Sequence, residues 1–234
     1  MNIAHNPLLP AVFTGGEKLV VLAPHPDDES LACGALLAQA LSGAGAHVIC
    51  LTDGSASHPA SALWPPQRLA RRRYKELVNA IECLGGAAHD LTWLGMADSR
   101  LYCADPLEVA TRLEQVIHGT GARHIFVPAA EDHHEDHKAT AEFARRVREK
   151  RPDWSFHAYP VWSRWDDPDF MQSIVHHNPI FLPVGHLHGQ KYSAIHAHES
   201  QLGRVVEDDL SGFVLLPGFI EKFAVEDEIF WRMP

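Results

Sequence analysis

The feature that most constrains this chain is an alternation. Over its first two thirds, apolar runs of strand length take turns with helix-like segments. "KLVVLAPH", "HVICLTDGS", "HDLTWLG" and "RHIFVPAA" read as strands. "SLACGALLAQALSGAG", "PPQRLARRRYKELVNAIECLGG", "DPLEVATRLEQVIHGTG" and "HKATAEFARRVREKRP" read as helices. Pro66 near the start of the second helix and Gly85-Gly86 after its end punctuate it. Asp105 and Pro106 stand as N-cap and first residue of the third. Strand–helix–strand order implies parallel pairing with helices on both faces. The expected fold is α/β, a Rossmann-like, mostly parallel sheet flanked by helices, in a single domain over 1–234. In the last third, "WSFHAYPVWSRW" and "HHNPIFLPVGH" read as a strand pair and "GQKYSAIHAHESQLGRV" as a helix. The tail "LPGFIEKFAVEDEIFW" is expected to pack on the core, so this region adds C-terminal edge strands.

Ligands of such sheets bind beyond the carboxyl ends of the strands. The residues just past each strand are therefore informative. The four clusters there are "PHPDDE", "TDGSASHP", "GMADSR" and "EDHHEDH", and the topology brings all four to one edge.

The first cluster sets His25, Asp27, Asp28 and Glu29 within five positions. Like charges this close raise one another's pKa, and a cation relieves them. His25 and Asp28 flank a strand-to-helix turn, and His137 opens a helix after another strand. Two imidazoles and a carboxylate form a zinc set that leaves positions open for water and substrate. Asp27 beside them is placed to take a proton from water. A protonated His134 would stabilise an oxyanion or protonate a leaving amine, with Asp136 orienting it. Glu29 either caps the helix or orients a ligand. Each cluster alone could be structural, the first a capping turn and the second a solvated loop. Their meeting at one sheet edge favours a site.

These residues resemble the LmbE-like (PIG-L) family of zinc-dependent de-N-acetylases. Its His-Pro-Asp-Asp-Glu motif stands at residues 25–29. Its His-Pro-Asp-His motif stands at 134–137, with Glu135 in place of proline at a position that carries no ligand. The resemblance implies one Zn2+ per chain on His25, Asp28 and His137, Asp27 as general base, and His134 as catalytic histidine supported by Asp136. It extends to Arg73 and Glu76 of an Arg-x-x-Glu pattern, to "LGMADSRL", and to His198, Ser200 and Gln201 of "AIHAHESQ". Arg73 and His198 become candidate substrate contacts. Asp53 and Asp98 either make turns or contact substrate. Trp162 and Trp165 either stack on a sugar or pack.

Charge and composition prune the alternatives. A net charge of -10 opposes a nucleic-acid partner. No segment is apolar for long enough to span a bilayer. "MNIAHNPLLPAVFTGGEKLV" lacks the basic start and apolar block of a signal peptide. Cys33, Cys50, Cys83 and Cys103 form no CxxC pair and read as unpaired thiols of a cytoplasmic protein. The expectation is a cytoplasmic hydrolase that removes an N-acetyl group from an amino sugar or sugar conjugate; a homo-oligomer is left open. The rivals are a metal phosphoesterase, for which "DHH" at 132–134 speaks, and a sugar-binding module with an inert metal.

Overall fold

The computed structural model describes residues 9–233. Residues 1–8, part of the segment read as lacking a signal pattern, lie outside that range. Among the described residues, seven strands form one sheet: β1 (Leu19–Ala23), β2 (Ala46–Thr52), β3 (Leu91–Met96), β4 (His124–Pro128), β5 (Ser155–Tyr159), β6 (Ile180–Leu182) and β7 (Glu228–Arg232). Eight helices accompany them: α1 (Asp28–Leu41), α2 (Pro66–Cys83), α3 (Pro106–Thr120), α4 (Glu135–Lys150), α5 (Trp162–Asp166), α6 (Phe170–Ile174), α7 (His188–Ala197) and α8 (Pro217–Val225).

The strand order is β3-β2-β1-β4-β5-β7-β6. β1 to β5 run parallel; β7 pairs antiparallel with β5, and β6 antiparallel with β7. The expected α/β sheet with added edge strands is present. β1 is buried along its whole length, and its residues alternate between two cores. Leu19, Val21 and Ala23 pack with α1, α2 and α7, whereas Val20 and Leu22 pack with α3 and α4. A run that is apolar at every position is what a strand covered on both faces requires.

The order reverses between β1 and β4. From β1 the chain crosses to β2 and β3 on one side, and from β4 to β5 on the other. The loops after these two adjacent strands therefore part, and a crevice opens between them. "HPDDE" comes directly after β1 and "EDHHEDH" after β4.

The last third departs from expectation. The segment carrying β5 and the one carrying β6 do not pair with each other. β7, from the chain's tail, lies between them. The cause is two-faced apolarity: Phe230 packs into the α1-side core, while Ile229 and Trp231 pack with Phe170 and Ile174 of α6. A strand apolar on both faces is better placed inside a sheet than at its edge. The helix read over "GQKYSAIHAHESQLGRV" also stops early, at Ala197, and continues as a short 3-10 turn over Glu199–Leu202.

Candidate active site

The turn from β1 into α1 is strained. Asp27 has φ 145° and ψ -29°, values that an L side chain rarely adopts. Two sets of partners hold it there. The Glu29 carboxylate accepts from the Asp27 backbone N–H at 3.0 Å. Arg73, buried on α2, donates through Nη2 to the Asp27 carboxylate at 3.1 Å and to Pro26 O at 2.7 Å. Its Nη1 donates to Gly54 O at 2.9 Å. Gly54 has φ +63°, and a Cβ there would stand 2.6 Å from Arg73 Nη1, so only glycine allows this approach.

His25 and Asp28 meet across the turn. Asp28 Oδ2 accepts from the His25 N–H at 2.9 Å and lies 3.3 Å from His25 Nδ1. The same oxygen is 3.4 Å from Nε2 of His137, one helix away. His137 Nδ1 lies 2.9 Å from Asp132 Oδ2. Asp132 also accepts from the backbone N–H groups of Val161 and Ser163 and from the Ser163 hydroxyl. Those donors commit the Asp132 carboxylate as an acceptor, so His137 donates to it from Nδ1, and loss of the ring's second proton frees the Nε2 lone pair for a metal. Nε2 is buried and has no hydrogen-bond partner. On His25 the pattern is reversed: Nε2 faces Asp136 at 3.2 Å and Asp98 at 3.4 Å, and Nδ1 faces Asp28.

Asp28 stands at ligand spacing from both histidines, while the groups of described residues whose ligand atoms all lie within 4.8 Å of one another are His25, His134 and His137, and His25, Asp98 and Asp136. Nitrogen and oxygen ligands of a tetrahedral zinc, at 2.0–2.1 Å from it, stand about 3.3 Å apart. The Asp28–His25 and Asp28–His137 separations of 3.3 and 3.4 Å match. Carboxylates behind each imidazole are the usual second layer of such a centre. The charges agree. Burial alone would lower both imidazoles, but Asp136, Asp28 and Asp98 hold His25 well above its ordinary value, and Asp28 and Asp132 push His137 up to about 9. Burial would raise the Asp28 carboxyl, yet the neighbouring His137 and His25 hold it well below its ordinary range.

His134 caps α4 and differs from the other two. Its Nδ1 accepts from the Asp136 backbone N–H at 3.2 Å, which leaves the proton on Nε2. A protonated Nε2 is a donor and not a ligand. Burial, reinforced by the charges of His25 and His137, pushes it down to about 4. The imidazole is thus neutral near pH 7, where the sequence suggested a cation. The expected Asp136–His134 partnership takes another form too. The Asp136 carboxylate accepts from Ser99 N at 2.8 Å and Leu101 N at 3.0 Å and contacts His25; only its backbone meets His134. Asp136 starts a helix, and a side chain there reaches back to the loop after β3 rather than to its own N-cap.

The remaining candidates divide. Asp98 accepts from Ala56 N at 2.8 Å and borders the crevice. Asp53 accepts from Ser55 N in a local turn and does not reach it. His198 is buried behind the site, with Nε2 3.0 Å from Glu29 Oε1 and 3.3 Å from the Ser30 hydroxyl. Neither Asp53 nor His198 lines the cavity, because each is held by a nearer partner. Glu76 accepts from the Ser200 N–H and hydroxyl, so two of the resembling segments clasp each other. In the sequence Asp132 stood out only as the first residue of "DHH", the mark of the phosphoesterase rival, and not as a partner of His137. The cavity itself is about 670 Å3 and is bordered by His25, Asp27, Asp28, Arg73, Asp98 and His134, with Trp162 beside them.

Comparison with known proteins gives the family and the fold. Residues 20–148 match the family model described as PIG-L, GlcNAc-PI de-N-acetylase. The chain belongs to that family. The 1D-myo-inositol 2-acetamido-2-deoxy-alpha-D-glucopyranoside deacetylase of Kineococcus radiotolerans is 34% identical over an alignment of 127 residues, and the match covers 43% of this chain and 35% of that protein. The chain thus matches about a third of the length of that relative. Among solved structures, the N,N'-diacetylchitobiose deacetylase of Pyrococcus horikoshii superposes with TM-score 0.68 at 20% identity, covering 93% of this chain and 84% of that one. The 4-carboxy-2-hydroxymuconate hydratase GalB of Pseudomonas putida KT2440 gives 0.64 at 18%, covering 93% and 97%. At such identity these two share the fold, and the fold therefore carries more than one chemistry.

Proposed function

We propose that the protein is a zinc-dependent hydrolase that removes an N-acetyl group from an amino sugar or sugar conjugate. The observation that carries this reading is the bare Nε2 of buried His137, 3.4 Å from the Asp28 carboxylate and fixed from behind by Asp132. His25, Asp28 and His137 would hold one ion. When bound, it would supply Lewis-acid polarisation of the acyl carbonyl and a more acidic water. A second ion, as a phosphoesterase of the two-metal kind needs, has poor support. The other acidic group, Asp98 with Asp136, shares His25 with the first, and Asp136 is already occupied by Ser99 and Leu101.

The chain's own residues divide the proton transfers. Asp27 takes the proton of the attacking water. Burial pushes its carboxyl up to about 6 against the pull of Arg73, so it is ionised at neutral pH and still basic enough to act. His134 donates from Nε2–H to the oxyanion as it forms. With His134 held neutral, the proton for the leaving amine comes back from Asp27. Arg73, Asp98 and the turn around Asp27 position these groups. The family membership supports the same reaction class. No described helix is long and apolar enough to cross a membrane.

A mass-spectrometric screen of N-acetylated amino sugars and their conjugates tests the reading. The zinc-loaded protein should replace acetyl by hydrogen on at least one of them, and the metal-stripped protein on none. Turnover that survives complete metal removal would contradict it.

A further inference from the structure

The cavity has two kinds of wall. Around Asp98, Ser99, Ser57 and Gln201 it is polar. Elsewhere it is apolar and continuous. Trp162 lies nearly parallel to the His134 ring, 6.3 Å between centroids and 18° between planes. Phe213 and Phe219 stand next, at 5.7 and 5.8 Å from Trp162. Val214 and Leu216 continue this wall to the rim, where they are 37% and 60% exposed. Single exposed apolar residues are ordinary, but an exposed apolar rim joined to an aromatic wall marks a ligand surface. A hexosamine ring uses one aromatic face and otherwise seeks hydrogen bonds. It leaves most of this wall uncovered.

Charge narrows the occupant further. Arg73 is the one Lys or Arg among the described residues that border the cavity, and both of its terminal nitrogens are engaged. Of the three carboxylates that border the same space, Asp28 would be spent on the ion, and Asp27 and Asp98 remain to face the occupant. A phosphate-bearing aglycone would find no uncommitted guanidinium or ammonium there.

Building on the deacetylase reading, we infer that the substrate carries a neutral, apolar substituent, alkyl or aryl, that lies along Trp162, Phe213, Val214, Leu216 and Phe219. The substituent is either the aglycone or an acyl chain longer than acetyl, and two substrate series separate these. One keeps N-acetyl and lengthens an alkyl glycoside from methyl to octyl. The other keeps the methyl glycoside and lengthens the N-acyl group.

With the zinc-loaded protein, kcat/KM should climb by about two- to fourfold per methylene in one series, the upper figure being a fully buried CH2. Leu216→Ser and Phe213→Ser should flatten that climb. A climb with the glycoside assigns the wall to the aglycone; a climb with the acyl group assigns it to the acyl chain. Methyl N-acetylglucosaminide turned over, with both series flat, overturns the inference and leaves the deacetylase reading standing. No turnover of any member overturns the deacetylase reading instead. Binding of octyl glucosaminide then decides the wall without catalysis. Affinity well above that of methyl glucosaminide, lost in Leu216→Ser, supports it, and equal affinities overturn it.

Discussion

Two buried ionic clusters in this protein are built on opposite principles. One joins α7, α1 and β7. Lys191 and Glu228 are both fully buried, with Nζ and Oε1 2.5 Å apart. Glu228 also accepts from the Ala35 and Leu36 N–H groups at 2.7 and 2.9 Å. One cation meets one anion, and the carboxylate oxygens are used. The other cluster is the crevice between β1 and β4. There the carboxylates of Asp27, Asp28, Asp98, Asp132 and Asp136 face Arg73, His25 and His137, and one imidazole nitrogen has no partner. The first cluster is complete within the chain. The second is arranged around something the chain does not supply. A buried charge balanced internally serves the fold; one left unbalanced at a sheet's switch point serves a ligand.

Breaking each cluster should therefore give different losses. The largest expected effect is on turnover. Asp27→Asn keeps the shape of the side chain but cannot take a proton, and kcat should fall by about 10²–10⁴-fold while zinc stays bound; rate and elemental analysis read the two together. In the wild type, the acid limb of the pH profile should track the Asp27 carboxyl. The base acts only when ionised, so kcat/KM should rise with pH through about 6 and be lost below it. A limb centred far from that value would remove Asp27 from the role.

Lys191→Met attacks the balanced cluster. It strands a buried carboxylate, for which about 3–5 kcal/mol of destabilisation is expected, yet zinc affinity measured on the folded variant should be unchanged. Denaturant unfolding and a zinc titration separate the two. A variant with weakened zinc and intact stability would reverse the comparison.

His134→Ala should retain zinc and lose about 10²–10³-fold in kcat, as for loss of an oxyanion donor. Because burial keeps this imidazole neutral near pH 7, its removal should leave the basic limb of the profile where it is. A shift of that limb would restore the cationic role that the sequence suggested.

The smallest effect is expected at Asp132→Asn. His137 stays in place but is held less firmly, and zinc affinity should weaken by about 10–100-fold. Competition with a chelator measures it. An unchanged affinity would mean that Asp132 serves only the Val161–Ser163 loop.

Much of this was legible in the residues. The α/β sheet came from the alternation of strand-like and helix-like segments, and the convergence of His25, Asp28 and His137 came from topology alone. Local chemistry also read directly: Asp105 caps α3 through the Leu107 and Glu108 N–H groups, as Pro106 beside it suggested. What escaped was of longer range. β7 lies between β5 and β6 because its apolar faces meet two different cores, and spacing in the chain carries no sign of that. Asp136 was assigned to its neighbour His134, whereas its carboxylate reaches residues 99–101, brought near only by folding. His198 and Asp53 carry polar groups of the right kind, but Glu29 and Ser55 already occupy them. Asp132, the residue behind His137, lay in a loop whose return path no periodicity describes.

The comparison rests on the crevice being a cation site, and calorimetric titration of metal-stripped protein with zinc tests that most directly. Without metal, the surrounding carboxylates hold His25 above its ordinary value and push His137 up to about 9 against the effect of burial, and a ring that carries both protons must lose one to bind a metal. Titrations in buffers of different ionisation enthalpy should give one tight site per chain with net proton release, and His137→Ala should abolish it. Tight binding that survives His137→Ala, or binding with no proton release, would contradict the account.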